Sequence, residues 1–322
     1  MLSAMTKVSE PSVSDHVPVL LPEMLAALEV RPEGTYLDTT FGAGGYSRAI
    51  LNAGAMQVIG LDRDPAAVAR GRRLAAETPR FTMLEGCFGS MLELLPDMAG
   101  RLDGIVLDLG VSSLQLGDPE RGFSFAADGP LDMRMGAVGI SAADVVNQAD
   151  EHALATILYR YGEERAARRI AKAIVARRRG GAILRTRELA SLVAGVVGRG
   201  SGRIDPATRT FQALRIHVND ELGELERALD AAEVLLKPGG RLVVVAFHSL
   251  EDRIVKQFLT AQGGRLPRPS RHRPEPPRPP ARFRPLFRQP IRPQPAEIAA
   301  NPRARSARLR AAERLPDEVR AA

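Results

Sequence analysis

The chain has 322 residues, 44% of them apolar, and a formal net charge of +7, so it can bury the core of one large domain or two smaller ones. No apolar run approaches the roughly 18 residues that cross a bilayer, and the acids near the N-terminus are not typical of a secretion signal. The single cysteine, Cys87, excludes an internal disulfide framework and a thiolate metal cluster. It is either a small packing residue or a nucleophile. We therefore expect a cytoplasmic protein with no membrane partner and no metal.

Positive charge is concentrated in two zones. Residues 264–322 contain 15 Arg and five acids, and residues 160–209 contain 13 Lys or Arg and four acids. Two basic zones on a nearly neutral body favour a polyanionic partner, and nucleic acid is the common one. The alternative is that these charges serve only solubility.

The first part of the chain, after a disordered segment at 1–15, alternates between short apolar runs and helical stretches. A first helix is predicted over 22–30, with Pro22 in its first turn. Strands are then predicted at 35–38, 57–62, 81–84 and 104–108, with helices at 44–53 and 65–77. This β-α-β-α order predicts a parallel sheet with right-handed crossovers.

The order of elements changes after the fourth strand. Residues 109–140 have loop composition, and 141–198 are helical, with Ser141 and Asp144 placed for a capping box. The α/β pattern resumes near Asn219 with a long helix, a turn at 237–240 and an apolar fifth strand at 241–247. The predicted domains are a first α/β part at 16–115, an inserted helical substrate-recognition domain at 116–215 and a second α/β part at 216–263.

The C-terminal region divides into a flexible segment at 264–300 and a tail at 301–322, whose beginning looks ordered. Residues 265–295 contain 11 Pro and nine Arg, a composition that cannot pack a core. The segment is either a passive linker or an arm that lies near phosphates.

A glycine-rich turn follows the first strand and indicates a cofactor site. Asp38 ends the strand, Gly42, Gly44 and Gly45 follow, and a helix start offers unpaired N–H groups. Asp62 ends the second strand, where doubly wound sheets hold a ribose. The third glycine does not fit the spacing of a dinucleotide loop, whereas a sulfonium cofactor needs only close backbone approach and an acid for its ammonium group.

The turn after strand four, 108–113, carries a resemblance to the bacterial 16S rRNA cytosine-N4 methyltransferases, the RsmH or MraW family. The similarity covers almost all of 16–263 and resumes at 301–314. Its motifs lie at 16–21, 38–47, 62–65, 108–115, 121–125, 128–135, 161–165, 206–216 and 247–253.

The resemblance implies a class I, Rossmann-like α/β fold with an all-helical domain inserted between strands four and five. It also implies S-adenosyl-L-methionine as the methyl donor and a decoding-centre cytosine of 16S rRNA as acceptor, within the 30S subunit or a late assembly intermediate. The cofactor contacts that it implies are Gly44, Gly45, Tyr46, Asp62, Phe88, Asp108 and Gln115. The chain departs from the family pattern at Tyr46, Leu114 and Gly136, where histidine, proline and aspartate are usual.

Three residues are candidates for the chemistry. Asp108 and the backbone of 109–113, with Ser112, are predicted to accept hydrogen bonds from the target amine, although Asp108 could instead serve the cofactor alone. His248 is either a general base or part of a cluster that begins a helix.

The candidate RNA contacts are cations and aromatic rings. Arg165, Arg168, Lys172, Arg209 and Arg215 are predicted to contact phosphates, although the first three could form only a solvated helix face; Phe123 and Phe125 are candidates to stack on the flipped base or to pack in the core. Two other functions remain open: an NAD-dependent enzyme on the same fold and a non-enzymatic RNA-binding or assembly protein.

Overall fold

The structure, a computed structural model, describes residues 18–198, 205–264 and 280–316. The predicted disordered segment at 1–15 lies outside these residues. Among the described residues, none of the helices combines the length and the apolar character needed to cross a membrane.

A seven-stranded sheet in the order β3-β2-β1-β4-β5-β7-β6 forms the centre of the fold. Its strands are β1 Thr35–Asp38, β2 Gln57–Asp62, β3 Phe81–Glu85, β4 Leu102–Asp108, β5 Leu236–Ala246, β6 Phe283–Pro285 and β7 Arg308–Arg314. The first five strands are parallel to one another, and β7 runs antiparallel between β5 and β6. The predicted α/β fold with a parallel sheet is confirmed, and the first four strands lie within two residues of their predicted bounds.

Helices connect and cover the strands. They are α1 Leu21–Leu28, α2 Gly45–Asn52, α3 Pro65–Glu77, α4 Met91–Leu94, α5 Ser113–Gly117, α6 Ala142–Gln148, α7 Glu151–Gly162, α8 Ala167–Arg178, α9 Thr186–Val197, α10 Thr208–Asn219, α11 Glu221–Leu235, α12 Ser249–Gln262 and α13 Pro295–Ala300.

Apolar side chains on the two faces of the sheet enter two different cores. Along β4, Ile105 and Leu107 pack with α11 and α12 residues such as Leu225 and Val255, whereas Val106 packs on the other face with α1 and α2. This alternation follows from the two-residue repeat of a strand, and a strand buried on both faces needs the continuous apolar run seen in the sequence.

The described residues between β4 and β5 contribute helices α5 to α11, and α5 to α10 are called the inserted helices below. A third apolar cluster is built only from residues of this region, from Phe123 to Leu214. Ser141 and Asp144 form the predicted capping box at the start of α6, with Ser141 Oγ accepting from the Asp144 N–H at 3.1 Å. Helix α10 continues to Asn219, past the predicted boundary at 215, because its last turn stays buried.

The turn predicted at 237–240 is instead a bulge within β5. The β4 partners Leu102 and Gly104 are two residues apart, whereas their β5 partners Leu236 and Arg241 are five apart. Gly239, with φ of 81°, absorbs the extra residues in the left-handed region. The strand therefore begins five residues before its predicted start.

The C-terminal region is more ordered than its composition predicts. The predicted flexible segment at 264–300 includes β6 and α13 among its described residues, 280–300; residues 265–279 are not described. The predicted tail supplies β7, which pairs with β5 over Arg308–Ala246 to Glu313–Arg241. Proline-rich composition was misleading here because β6 needs only three residues at the sheet edge, where proline is tolerated.

We predict that Leu309→Ala destabilises the protein by about 2–5 kcal/mol, because a fully buried leucine of β7 is removed from the apolar core. Urea unfolding followed by circular dichroism measures this. Leu184→Ala, at a leucine that is 56% exposed, is the matched control and should change stability by less than about 1 kcal/mol. Equal small effects of both substitutions would contradict the placement of β7.

Candidate functional site

A cavity of about 400 Å³ opens at the edge of the sheet where β1, β2 and β4 end. Three acids that end these strands, Asp38, Asp62 and Asp108, line it. The ends of parallel strands meet at one edge, and the strand order reverses between β1 and β4, which is where ligands bind in open α/β sheets.

The glycine-rich turn brings backbone close to the cavity. Gly44 is the N-cap residue of α2 and has φ of 82°, in the left-handed region. Gly45 lies under Pro18, and a Cβ atom on Gly45 would be 2.2 Å from the Pro18 ring. Tyr46 is buried, and its hydroxyl donates to the Val19 carbonyl. The usual histidine is thus replaced by a residue that ties the 18–20 segment to the loop.

Asp38 is fully buried at the end of β1. Its carboxylate accepts from Ser47 Oγ at 2.7 Å and from the Thr40 N–H at 3.2 Å. Burial raises the pKa of Asp38 to about 6, against the lowering effect of these two hydrogen bonds. The carboxylate therefore gains from any cation that enters the cavity.

Asp62 holds the backbone of two segments that border the cavity, one after β1 and one after β2. One carboxylate oxygen accepts from the Gly42 N–H at 2.8 Å and the other from the Asp64 N–H at 2.9 Å. Burial raises the pKa of Asp62, and the backbone donors oppose this. Each oxygen keeps a lone pair that could accept from a ribose hydroxyl.

Asp108 has a buried oxygen, Oδ1, without a hydrogen-bond partner among the described residues. Burial first, and then the charges of Asp38 and Glu251, raise the pKa of Asp108 well above its ordinary value. Its N–H donates to Thr40 Oγ1 at 2.7 Å, which fixes the end of β4 against the β1 loop. A buried polar atom without a partner is costly, so this oxygen is suited to a ligand donor.

The loop after β4 is held by a capping box. Ser112 Oγ accepts from the Gln115 N–H at 3.2 Å, and Gln115 Oε1 accepts from the Ser112 N–H at 2.9 Å. Gln115 Nε2 then donates to Asp64 Oδ2 at 2.7 Å. Ser112 and Gln115 line the cavity, but their side chains are already used to position this loop.

Most of the predicted cofactor residues come together at the cavity. Gly45, Tyr46, Asp62, Phe88, Asp108 and Gln115 line it. Gly44 is not among the lining residues and acts through the start of α2. The other two positions that depart from the family pattern lie in different places. Leu114 lines the cavity and is 42% exposed, whereas Gly136 lies near the Arg63 carbonyl.

His248 does not line the cavity. It is the N-cap residue of α12, and its Nε2 lies 3.1 Å from Glu251 Oε1. Glu251 Oε2 accepts from the Phe247 N–H at 2.8 Å, so this pair fixes the loop after β5. The geometry favours the helix-start alternative over the general base.

Glu221, His248 and Glu251 bring possible metal-ligand atoms within 4.8 Å of one another. Arg215 already donates to both oxygens of Glu221, each at 2.8 Å. These four residues form a buried ion network in which each acid already faces a cation or a potential cation, so the network needs no metal to balance it.

Three predicted RNA contacts need correction. Arg215 is committed to Glu221, so its guanidinium is not free for a phosphate. Phe123 is buried in the core of the inserted helices, and Phe125 packs edge-on against Phe211 with ring centroids 4.7 Å apart. Neither ring lines the cavity, so both are packing residues. The spacing of Phe123 and Phe125 in the sequence could not show whether their loop faces the cavity or the core of the inserted helices.

The other predicted RNA contacts lie on the surface. Arg165 and Arg209 are exposed, and so are Arg168 and Lys172 on α8. These four residues do not line the cavity, so any role in RNA binding is that of an outer surface.

Polar contacts that were not predicted from the sequence attach the inserted helices to the cavity. Arg63 donates to the Asn219 carbonyl at 3.0 Å and to its Oδ1 at 2.7 Å. Arg121 donates to Asp64 Oδ2 at 2.8 Å and to the carbonyls of Arg134 and Met135, each at 3.0 Å. Five of these six residues occur in the motif blocks 62–65, 121–125 and 128–135, which was the available signal.

The chemistry of the cavity fits a cationic cofactor. Asp38 and Asp108 are buried acids without an ion pair among the described residues, and their pKa values are raised by burial. A sulfonium and an ammonium group would relieve this cost, whereas the pyrophosphate of a dinucleotide would increase it. The fold and the cavity define a Rossmann-like methyltransferase.

Comparison with known proteins gives the family. Residues 13–315 match the model of the MraW methylase family, and the chain belongs to this family. The resemblance inferred from the motifs is confirmed, and S-adenosyl-L-methionine is the methyl donor, as predicted.

Curated relatives match over nearly their full length. The ribosomal RNA small subunit methyltransferase H of Paramagnetospirillum magneticum is 61% identical over 307 residues, or 94% of this chain and 96% of that protein. That of Rhodospirillum centenum is 60% identical over an alignment of 328 positions, gaps included, which covers 97% of this chain and 95% of that protein.

Solved structures are more distant. An rRNA methylase from Streptococcus thermophilus has a TM-score of 0.37 and 11% identity, covering 91% of this chain and 93% of that chain. A geranyl diphosphate methyltransferase in complex with SAM has a TM-score of 0.39 and 12% identity, covering 92% and 84%. The family assignment rests on the sequence matches.

We predict that Asp38→Asn stabilises the cofactor-free protein near pH 7.5 and has a smaller effect near pH 4.5. Because burial raises the pKa of Asp38 to about 6, the stability from its protonated form is present below about pH 4 and is lost as the pH rises through about 6. Asparagine removes this loss, which is on the order of 2 kcal/mol.

Urea unfolding at the two pH values measures this difference, and Asp230→Asn, at an exposed acid of α11, is the control. The same Asp38→Asn variant should bind S-adenosylhomocysteine more weakly. An equal change in unfolding free energy at both pH values would contradict a raised pKa.

Proposed function

We propose that the chain transfers a methyl group from S-adenosyl-L-methionine to the N4 amine of a cytosine at the decoding centre of 16S rRNA, in the cytoplasm. The observation that carries this proposal is the cavity with acids at the ends of β1, β2 and β4, in a chain of the MraW methylase family. The names of its close relatives support small-subunit rRNA as the substrate. The base and the position come from the motif resemblance.

Each wall of the cavity has a role in holding the cofactor. Asp38 is placed for the ammonium group and Asp62 for the ribose hydroxyls. The N-terminus of α2, where the first N–H groups have no partner within the helix, suits the carboxylate. Phe88 is half-buried and offers an apolar contact for the adenine ring. The bound cofactor supplies an electrophilic methyl group.

The chain's contribution to the reaction is to position the acceptor. The cytosine amine is a weak nucleophile because its lone pair is delocalised into the ring. Holding the nitrogen in line with the methyl supplies a large share of the rate, on the order of several kcal/mol. Asp108 Oδ1, buried and without a partner among the described residues, is placed to accept an N–H of this amine. His248 then acts as a positioning residue for the loop that carries Phe247.

A methylation assay tests the proposal. Naked 16S rRNA and assembled 30S subunits from a strain that lacks the enzyme would be incubated with labelled S-adenosyl-L-methionine, and the product nucleosides identified by mass. We expect N4-methylcytidine, with faster transfer to the assembled or nearly assembled particle. Absence of transfer to both substrates would contradict the proposal and favour the non-enzymatic assembly protein.

We predict that Asp108→Ala lowers turnover at saturating cofactor and RNA by roughly 10- to 100-fold, because the amine loses its hydrogen-bond acceptor. The KM for S-adenosyl-L-methionine should change much less. Asp97→Ala, at an exposed acid before β4, is the control and should behave as the wild type. A change confined to cofactor affinity would remove Asp108 from the chemistry and leave it as a cofactor contact.

We propose that the basic surface formed by Arg165, Arg168, Lys172 and Arg209 binds RNA phosphates. Replacing Arg165, Arg168 and Lys172 with Gln should flatten the dependence of log K on log salt by about 2, since each phosphate contact contributes about 0.7–0.9 to the slope.

The control for this substitution removes the same amount of charge elsewhere. Arg48, Arg73 and Arg101 are exposed on α2, on α3 and before β4, and replacing these three with Gln should leave the slope nearly unchanged. Binding is measured by filter retention from 50 to 300 mM salt. Equal slopes for both triple variants would contradict a role for the basic surface.

A further inference from the structure

The C-terminal region reaches the cavity, although it lies about 190 residues after β4. Asn301 and Arg303 are among the lining residues. Because β7 is antiparallel to β5, with Arg308 opposite Ala246, the residues just before Arg308 lie at the edge of the sheet where the parallel strands end. This places Arg303 on the β5 side of the cavity, with Phe247, and away from Asp62 at the end of β2.

The backbone around Arg303 is fixed. Residues Pro302–Ser306 form a 3₁₀ helix in which Asn301 Oδ1 accepts from the Arg303 N–H at 3.2 Å. Ala304 and Ala307 are fully buried beneath it. Upstream, Glu297 Oε1 accepts from the Leu20 N–H at 2.7 Å, which joins α13 to the start of α1.

The side chain of Arg303, in contrast, has no hydrogen-bond or ion-pair partner among the described residues. Three arginines line the cavity. Arg63 is bonded to Asn219, and Arg70 Nε donates to the Gly42 carbonyl at 3.2 Å. Arg303 is exposed, and its guanidinium has no hydrogen bond or ion pair within the described residues.

A guanidinium on a rigid backbone at a cavity mouth is suited to an oxyanion. Its fork donates two parallel hydrogen bonds to a phosphate or a carboxylate. Two such groups can come near: a phosphate of the RNA beside the target nucleotide and the carboxylate of the cofactor. In the proposed binding mode the cofactor carboxylate lies at the start of α2, on the β1 side, whereas the β5 side has no other unengaged arginine among the cavity-lining residues.

We propose that Arg303 binds an RNA backbone phosphate next to the target nucleotide and so holds the base at the acceptor side of the cavity. The proposal rests on the proposed function, since it needs an RNA substrate. Arg303 then positions the target nucleotide, and it is contributed by the part of the chain that composition described as a tail.

Arg303→Gln and Arg305→Gln are a matched pair for the test. Both arginines are exposed in the same 3₁₀ helix, but Arg305 does not line the cavity. We expect Arg303→Gln to raise the KM for 30S subunits about tenfold, as for a lost hydrogen bond to a charged group. The kcat and the affinity for S-adenosylhomocysteine should be unchanged, Arg305→Gln should stay within about twofold of the wild type, and Arg303→Lys should recover part of the loss.

Calorimetry with S-adenosylhomocysteine and with methylthioadenosine, which lacks the carboxylate, separates the two oxyanions. If Arg303→Gln weakens only the first ligand, Arg303 binds the cofactor and the phosphate proposal is wrong. Equal KM values for the two glutamine variants would also overturn it. Turnover by the wild-type protein checks the proposed function separately. If the wild type does not methylate rRNA, both proposals fail. If it does, the comparison of the variants tests the role of Arg303 alone.

Discussion

The site depends on holding acids in a buried place where they repel one another. Asp38 and Asp108 end neighbouring strands, and burial raises the pKa of both. The charge of Asp62 raises the pKa of Asp38 further, and the charges of Asp38 and Glu251 raise that of Asp108 further. Such an arrangement persists only when the surrounding structure fixes it, here through Ser47, Thr40 and the pairing of β1 with β4. A cationic cofactor offsets the free-energy cost of burying Asp38 and Asp108. The same two residues therefore shape the site and contribute to the binding energy.

The inserted helices are tied to this place through a few polar contacts. Asn219 is buried and accepts from Arg63, while its amide donates to the Met133 carbonyl at 2.7 Å. Arg121 bridges Asp64 and the carbonyls that follow Met133. The Asp62–Asp64 turn, which carries the proposed ribose contact, is therefore held from the helical side as well as from the sheet. A substrate that moves these helices would act on the cofactor site through these contacts.

Local patterns predicted the elements that carry function. The strand ends at Asp38, Asp62 and Asp108, and the capping box at Ser141, follow from short-range periodicity and turn chemistry, and the structure places them as expected. Long-range contacts were not accessible in the same way. The pairing of β7 with β5, the ion pair that occupies Arg215, and the edge-on contact of Phe125 all depend on residues distant in sequence. Composition also failed at 280–300, because a short edge strand and a six-residue helix need few apolar residues.

The most direct test of the central claim is a calorimetric titration of the purified chain with S-adenosylhomocysteine and, separately, with NAD⁺. We expect saturable binding of S-adenosylhomocysteine, weakened by Asp38→Asn, and no detectable heat with NAD⁺. Binding of NAD⁺ together with no response to S-adenosylhomocysteine would contradict it.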